Sequence, residues 1–383
     1  MMGMGFGIRN YLVALAASVT GMFVVGFIRP YIVFKTLGEQ GLLVVASLTT
    51  GFMLARAFSS LYTGIWVKNK GFRYTGVSGL VLWALSLYLY TLIPSSLYPL
   101  NRILEGFSAG LLWPTMQMLV VESLPSSWRA KGLSIYFVIG SIAYNFSIWL
   151  GGLLKPVIGA MGLFTLSFLL LAGYIVFYIL ALIEPRSRSS GQAIVKLGDY
   201  SRLLGKIKDL IPLILVVGGI SGLSLDYLLA YAKNISGFSS ELARTYWSYA
   251  GYLGLALSLL LSHLADKYGG DRINYGVAYM VSLAIMLISM PLPPIILYTL
   301  VSLPLLGSKI FKPIIRSSIV GRTGEKELGV TITNTISNLG AAFMPLLVAL
   351  TNTVVPTHIN LGLMVYGALS LAIILYITMR TKK

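Results

Sequence analysis

The polar stretch EPRSRSSGQAIVKLGDYSRLLGKIKD, residues 184 to 209, interrupts a chain that is otherwise dominated by apolar residues. Six apolar segments precede it and six follow it, each near the roughly 20 residues that an α-helix needs to cross the hydrocarbon core of a membrane. The stretch therefore predicts a linker between two membrane-embedded halves. We expect an N-terminal six-helix bundle at 1–183, a linker at 184–209 and a C-terminal six-helix bundle at 210–383.

The apolar segments are numbered as spans 1 to 12 and are placed by their length and hydropathy. They lie at about 11–34, 41–66, 74–94, 99–122, 132–154, 158–183, 210–232, 242–265, 273–291, 294–319, 328–351 and 358–378.

The composition indicates a polytopic membrane protein. Hydrophobic residues make up 56% of the chain and charged residues 11%, whereas about a quarter of a soluble domain is charged. Cysteine is absent and there are two histidines, so we expect no disulfide, metal site or cofactor. The net charge of +17 comes mostly from short loops, which indicates membrane topology rather than a nucleic-acid partner.

The loop charges also predict the orientation. With the termini in the cytoplasm, most loop lysines and arginines lie on that side, and only Lys35, Lys155 and Lys233 lie outside, as the positive-inside rule requires. We therefore expect a multi-pass protein of the cell membrane with both termini cytoplasmic. We expect it to work as a monomer in the lipid bilayer.

The two halves carry matching residues, which predicts an internal duplication. The loops GIWVKNKGFR (64–73) and SHLADKYGGDR (262–272) follow the second span of each half. Three residue pairs share a nearly constant offset, which is 198 for Gly71 and Gly269, 199 for Pro114 and Pro313, and 197 for Gly132 and Gly329. Such an offset of about half the chain indicates two homologous halves.

At these residues the chain resembles the major facilitator superfamily. The segment LADKYG (264–269) is similar to that family's loop signature G-x-L-A-D-R-x-G-R-K. The fourth span is similar to the family's fourth-helix signature through Arg102, Glu105, Gly106, Gly110 and Pro114. The resemblance covers the whole chain and implies an all-α fold of twelve transmembrane helices in two pseudosymmetric bundles. It also implies secondary active transport of a small solute by alternating access around a midplane site.

Some residues depart from the family pattern. Lys68 stands where the first loop signature usually has Asp, and Ser262 replaces the leading Gly of the second copy. Tyr144 and Asn145 stand where the family's antiporters carry Gly-Pro in the fifth helix, which disfavours drug/proton antiport. We expect transport of an organic anion by proton coupling or exchange, with proton-coupled multidrug efflux as the alternative.

The segment NRILEGFSAG (101–110) decides whether the protein is an enzyme. Its Gly106-x-Ser108-x-Gly110 resembles a hydrolase elbow, but that motif needs a strand, a tight turn and a histidine base near the serine. Here the motif lies inside a predicted membrane helix, where Gly106 and Gly110 are spaced for close helix packing. We therefore expect no enzymatic activity.

Three embedded residues are candidates for proton coupling: Glu105, Arg102 and Asp226. Arg102 and Glu105 are three residues apart, so they can pair across one helical turn. Ionisable groups in membrane helices are costly and usually face a protein interior or an aqueous cavity. Two interpretations stay open, because Glu105 could carry a proton or only neutralise Arg102.

The substrate cavity is predicted from spans 1, 2, 7 and 10. Arg29 and Asp226 are offset by 197 residues, and the resemblance implies that their spans face each other. They are predicted to form an ion pair between the halves, although each could instead have a partner within its own half. The other predicted cavity residues are Tyr31, Arg56, Tyr227, Lys309, Lys312 and Arg316.

Three of these cavity residues form a basic stripe on span 10. Lys309, Lys312 and Arg316 follow i, i+3, i+7, and the resulting excess of positive charge favours an anionic solute. The alternative is that Arg316 and Lys312 extend to the cytoplasmic surface and contact no substrate.

The resemblance implies a cytoplasmic gate made from the loop signatures. Asp266 is predicted to attract the N-terminus of span 5 near Gly132, and Lys68 to pair with Glu325 or Glu327 as a charge-swapped latch. The full set of gate residues is Gly64, Lys68, Gly71, Arg73, Asp266, Gly269, Arg272, Glu325 and Glu327.

Overall fold

The structure is a computed structural model that describes residues 2–125, 128–184, 202, 204–268, 270–307, 326–355 and 359–381. Within these ranges all regular structure is helical. The helices are Met2–Leu92, Tyr98–Ser123, Arg129–Ala181, Ile211–Ser236, Ser240–Tyr268, Gly270–Ile288, Pro294–Gly307, Lys326–Val354 and Leu361–Thr381, with a short 3-10 turn at Ser95–Leu97.

The two longest helices are broken at glycines. Met2–Leu92 reverses at Gly41 and Gly71, where φ is 80° and 84°, and Arg129–Ala181 reverses at Gly159, where φ is 68°. Positive φ is easily adopted only by glycine, so these residues permit a sharp reversal without a long loop. The five resulting limbs correspond to spans 1, 2, 3, 5 and 6.

The expected all-α membrane fold is confirmed. Five helices of the described ranges are long and apolar enough to cross a membrane, and two of these are the broken helices. Residues 308–325, which include the end of span 10, lie outside the described residues, so the count of twelve crossings stays a prediction. The face that carries Gly41, Gly159 and Gly237 is called distal below, and the face that carries Gly71 and the start of the linker is called proximal.

Close glycine contacts hold span 4 in place. A Cβ at Gly106 would overlap the carbonyl oxygen of Phe52 on span 2, and a Cβ at Gly110 would overlap the Ser59 hydroxyl on the same span. The Ser108 hydroxyl donates to the carbonyl oxygen of Gly79 on span 3, at 2.8 Å. The predicted packing role of Gly106 and Gly110 is confirmed, and Ser108 is a structural hydrogen-bond donor between helices.

The halves meet along the distal parts of their spans. Span 8 lies against span 5, where the Ser248 hydroxyl donates to the Asn145 carbonyl oxygen at 2.8 Å. Span 2 contacts span 11, where the Thr50 hydroxyl donates to the Ala342 carbonyl oxygen at 2.7 Å. We call this contact zone the seam. The structure is therefore in a state whose distal side is closed.

The packing makes Gly106 intolerant of a side chain. Gly106→Ala should destabilise the protein by about 1–3 kcal/mol, because the added methyl group pushes span 4 away from the Phe52 backbone. Gly173→Ala is the matched control, since a Cβ at Gly173 would meet no atom within 4 Å. Thermal unfolding of the purified variants measures the difference, and equal unfolding temperatures would contradict the packing role.

Candidate functional site

The site is centred on Asp226, in the membrane part of span 7. A five-residue π-helical turn, Leu223–Tyr227, interrupts the span at this point, and such turns often occur at functional sites. The Asp226 side chain is fully buried. Its carboxylate accepts hydrogen bonds from Arg102 at 2.6 Å and from Thr49 at 2.8 Å, and lies 3.6 Å from the Arg29 Nε. All three partners belong to the N-terminal half, so Asp226 joins the two halves.

Arg102 links the two embedded acids. One terminal nitrogen of its guanidinium donates to Asp226, and the other terminal nitrogen donates to Glu105 Oε2 at 2.8 Å. The Tyr90 hydroxyl also donates to Glu105 Oε2, at 2.9 Å. The guanidinium lies 4.7 Å from the centre of the Phe52 ring, which adds a cation–π contact. Arg102 is thus a bridge between an acid of its own half and an acid of the other half.

The predicted pairs are parts of one network. Arg102 and Glu105 pair across one turn, and Arg29 and Asp226 meet between the halves. The sequence interpretation treated them as separate, but the closer partner of Asp226 is Arg102. Because charges in a low-dielectric interior are strongly destabilising when unpaired, these two cations and two acids depend on one another.

A small cavity adjoins Glu105. It measures about 10 Å³, which is room for about one water molecule, and Arg29 and Tyr90 also line it. Glu105 is 8% exposed, whereas Asp226 is fully buried. Glu105 is therefore the more accessible of the two acids.

The two predicted cavity tyrosines lie inside their own bundles. The Tyr31 ring packs perpendicular to Phe164 of span 6, with ring centres 5.5 Å apart. The Tyr227 hydroxyl accepts hydrogen bonds from Asn352 and Asn360 at 3.0 Å each. The Tyr31 contact stabilises the N-terminal half, and the Tyr227 contacts stabilise the C-terminal half.

The structure adds little about the predicted cavity cations of spans 2 and 10. Arg56 is half-buried on span 2. Lys309, Lys312 and Arg316 all lie outside the described residues, so the basic stripe stays a prediction.

Glu184, which the sequence analysis did not single out, contacts the first loop signature. The Glu184 carboxylate, directly after span 6, accepts hydrogen bonds from the backbone N–H groups of Phe72 at 3.2 Å and Arg73 at 2.6 Å. The Arg73 guanidinium donates to the Leu182 carbonyl oxygen at 2.7 Å. A carboxylate at a helix N-terminus is favourable, so Glu184 stabilises the start of span 3. As the first residue of the predicted linker, it offered no sequence signal for this role.

The predicted latches between the halves stay predictions. Lys68 and Gly64 are exposed on the proximal face. Glu325 and Gly269 lie outside the described residues, as do the side chains of Asp266, Arg272 and Glu327.

Arg244 of span 8 is a further charged residue that the sequence analysis overlooked. It is fully buried at the seam, and its guanidinium donates to the Phe27 carbonyl oxygen at 3.2 Å. Nearby, the Lys155 ammonium donates to the Glu241 carboxylate at 2.8 Å across the distal edge of spans 5 and 8. Arg244 lies within a few positions of the end of its span, where a charged residue is expected at the membrane interface. Its burial could therefore not be predicted from the sequence.

The apolar helices of the described ranges are joined by an ion network between the halves. The family model for the Major Facilitator Superfamily matches residues 11–345, so the chain belongs to this family and is a transporter, not an enzyme. A search of curated protein sequences gives no match.

Solved transporters share the fold over nearly the whole chain. The nucleoside transporter NupG matches with a TM-score of 0.74 and 13% identity, covering 98% of this chain and 99% of that one. A POT family transporter in complex with 5-aminolevulinic acid gives 0.74 and 13%, covering 97% and 96%. A D-xylose-proton symporter gives 0.71 and 14%, covering 97% of each chain.

The network geometry ranks its two arginines. Arg102→Met should destabilise the protein by about 3–5 kcal/mol, because it leaves Glu105 without a cation and removes the shorter of the two Asp226 ion pairs. Arg29→Met should cost clearly less, because Arg29 lies 3.6 Å from Asp226 and Arg102 remains. Chemical or thermal unfolding compares the two variants. A larger loss for Arg29→Met would contradict the bridging role of Arg102.

Proposed function

We propose that this protein is a proton-coupled secondary active transporter of a small organic anion. The observation that carries the proposal is the charge of the seam. The buried charged residues of the described ranges are the cations Arg29, Arg102 and Arg244 and the acids Glu105 and Asp226. Three cations face two acids, and an excess positive charge away from water favours a carboxylate or a similar oxyanion.

Proton coupling is supported by the position of the two acids. Asp226 accepts hydrogen bonds from Arg102 and Thr49 of the opposite half and forms an ion pair with Arg29 of that half, so a proton on its carboxylate would weaken the attraction between the halves. Glu105 shares Arg102 with Asp226 and adjoins the water-sized cavity. A proton that arrives at Glu105 would leave Arg102 bonded more strongly to Asp226, whereas a proton on Asp226 would release the seam. Proton position and distal closure are thereby linked, as alternating access requires.

The orientation of the protein follows from its loop charges. The proximal loops carry most of the basic residues, while Lys35, Lys155 and Lys233 lie at the distal side. Under the positive-inside rule the proximal face and both termini are cytoplasmic in the cell membrane. The distal-closed structure would then be closed to the outside, and the protein would cycle as a monomer.

The similar structures support the mechanism more than the substrate. One is described as a D-xylose-proton symporter, one as a nucleoside transporter, and one holds 5-aminolevulinic acid. At 13–14% identity they share the fold, and the solutes in their descriptions belong to different chemical classes. The preference for an anion therefore rests on the residues of this chain.

Multidrug efflux is the second candidate. A lipophilic cation would add positive charge to a seam that already has an excess of it, which disfavours this function for the described part of the pathway.

Reconstituted vesicles can test the function directly. We expect carboxylate uptake to saturate and to rise when an inward proton gradient is imposed, with no uptake of lipophilic cations. Uptake of such cations without uptake of any anion would overturn the proposal in favour of efflux.

Glu105→Gln separates a proton carrier from a structural brace. The amide keeps the shape and can still accept a hydrogen bond from Arg102, but it cannot take up a proton at neutral pH. We expect loss of proton-driven accumulation with anion counterflow retained, because counterflow needs no net proton movement. The control is Glu122→Gln, which changes an exposed acid. Normal proton-driven accumulation by Glu105→Gln would show that Glu105 only neutralises Arg102.

A further inference from the structure

Arg244 lies where three spans from both halves meet. It is in the second turn of Ser240–Tyr268, and its side chain is fully buried. Phe27 of span 1 lies on one side, and Gly151 and Gly152 of span 5 lie on the other. The residue is therefore at the seam, near its distal edge.

The guanidinium of Arg244 is poorly satisfied in this state. It donates one hydrogen bond, to the Phe27 carbonyl oxygen at 3.2 Å, while its Nε and second terminal nitrogen have no partner among the described residues. Glu241 is one turn away on the same helix, but its carboxylate accepts from Lys155 at 2.8 Å. Arg29 and Arg102 both have Asp226 as a partner. Of the three seam arginines, Arg244 is the one without a carboxylate within 4 Å in the described part of the chain.

A second unsatisfied donor lies further along the same interface, where a Cβ at Gly251, seven residues after Arg244 on span 8, would overlap the Asn145 side-chain amide. Asn145 of span 5 is buried, and its side-chain nitrogen has no partner in the same ranges. The Asn145 backbone carbonyl accepts from Ser248, which is one turn after Arg244 on span 8. The unsatisfied atoms on this part of the seam are thus nitrogen donors, one of them on a cation. An oxyanion group supplies several acceptors and a negative charge, so it matches this chemistry.

The closed seam leaves no space for a solute at Arg244. A Cβ at Gly151 would lie 2.5 Å from an Arg244 nitrogen, so even one methyl group would be in close contact there. Access therefore requires the distal ends of spans 5 and 8 to separate. Separation would also expose the guanidinium to the side from which a solute enters.

We propose that Arg244 binds the carboxylate group of the transported solute in the distal-open state. This assignment rests on the proposed function, because it takes the solute to be an organic anion. It deepens that function by naming the residue that recognises the anion. Arg29 and Arg102 then hold Asp226 and the seam, while Arg244 is free of that task and available to the solute.

Ligand-induced stabilisation of the purified protein tests the assignment, because a ligand of the native state raises the apparent unfolding temperature. The probes are benzoate, succinate and inorganic phosphate, with uncharged benzamide as the matched neutral compound. We expect a carboxylate to stabilise the wild type and benzamide to have no effect. Arg244→Met should raise the apparent Kd for that carboxylate about tenfold to hundredfold, and Arg244→Lys should raise it less.

The double variant Lys155→Met with Glu241→Gln is the control for a purely structural role. It removes the distal ion pair at the same seam without leaving an unpaired acid one turn from Arg244. We expect it to change the unfolding temperature without ligand and to leave the carboxylate Kd within about threefold of the wild type. Arg244→Met should remain folded, because removing a buried charge that lacks an acidic partner does not leave another charge unpaired.

The outcomes distinguish the two proposals. A carboxylate that binds the wild type and Arg244→Met with the same Kd would overturn the assignment of Arg244 and leave the transported anion as proposed. A wild type that is stabilised by none of the anions would contradict the proposed function and the assignment with it. Stabilisation by phosphate with no effect of either carboxylate would overturn the assignment of a carboxylate group.

Discussion

The Arg102 guanidinium, held between Glu105 and Asp226, is the interaction on which the rest of the site depends. It bonds to one acid of its own half and one of the other, at 2.8 and 2.6 Å, and its own side chain is buried. Burying such charges is tolerated only because each has partners, so the halves are joined by a set of mutually dependent groups. The local packing serves this contact. Gly106 brings span 4 against span 2, and the π-helical turn of span 7 carries Asp226.

The same physical constraint explains how the seam could be both stable and reversible. A purely apolar interface would not respond to a proton or to a charged solute. An interface that is held by ionisable groups responds to both. The ion pairs of Asp226 form only when the halves are together, and Arg244 is poorly satisfied in that state. The two residues therefore favour opposite states of the distal side. Such a balance keeps the free-energy difference between states small enough for a ligand to shift it.

Much of the fold and part of the site could be predicted from the sequence. Run lengths of apolar residues located the spans, since the bilayer sets a minimum length for each helix. Helical spacing predicted the contact of Arg102 with Glu105, and the duplication placed Arg29 opposite Asp226. The contact of Arg102 with Asp226 could not be predicted, because it depends on how closely two bundles approach. The same holds for Arg244 and Glu184, whose partners come from distant spans and whose positions near span ends suggest interfacial residues.

The central claim is that the bonds of Asp226 hold the distal side closed, and a distance measurement across that side tests it most directly. The chain has no cysteine, so cysteines placed at the exposed residues Leu97 and Ile295, one in each half, can carry spin labels without background. Pulsed electron–electron double resonance then measures the distribution of distances between the two labels, once with Asp226 intact and once with Asp226→Asn. The account predicts a shift towards longer distances in Asp226→Asn, because the amide lacks the charge that holds Arg102 and Arg29. An unchanged distribution would contradict it.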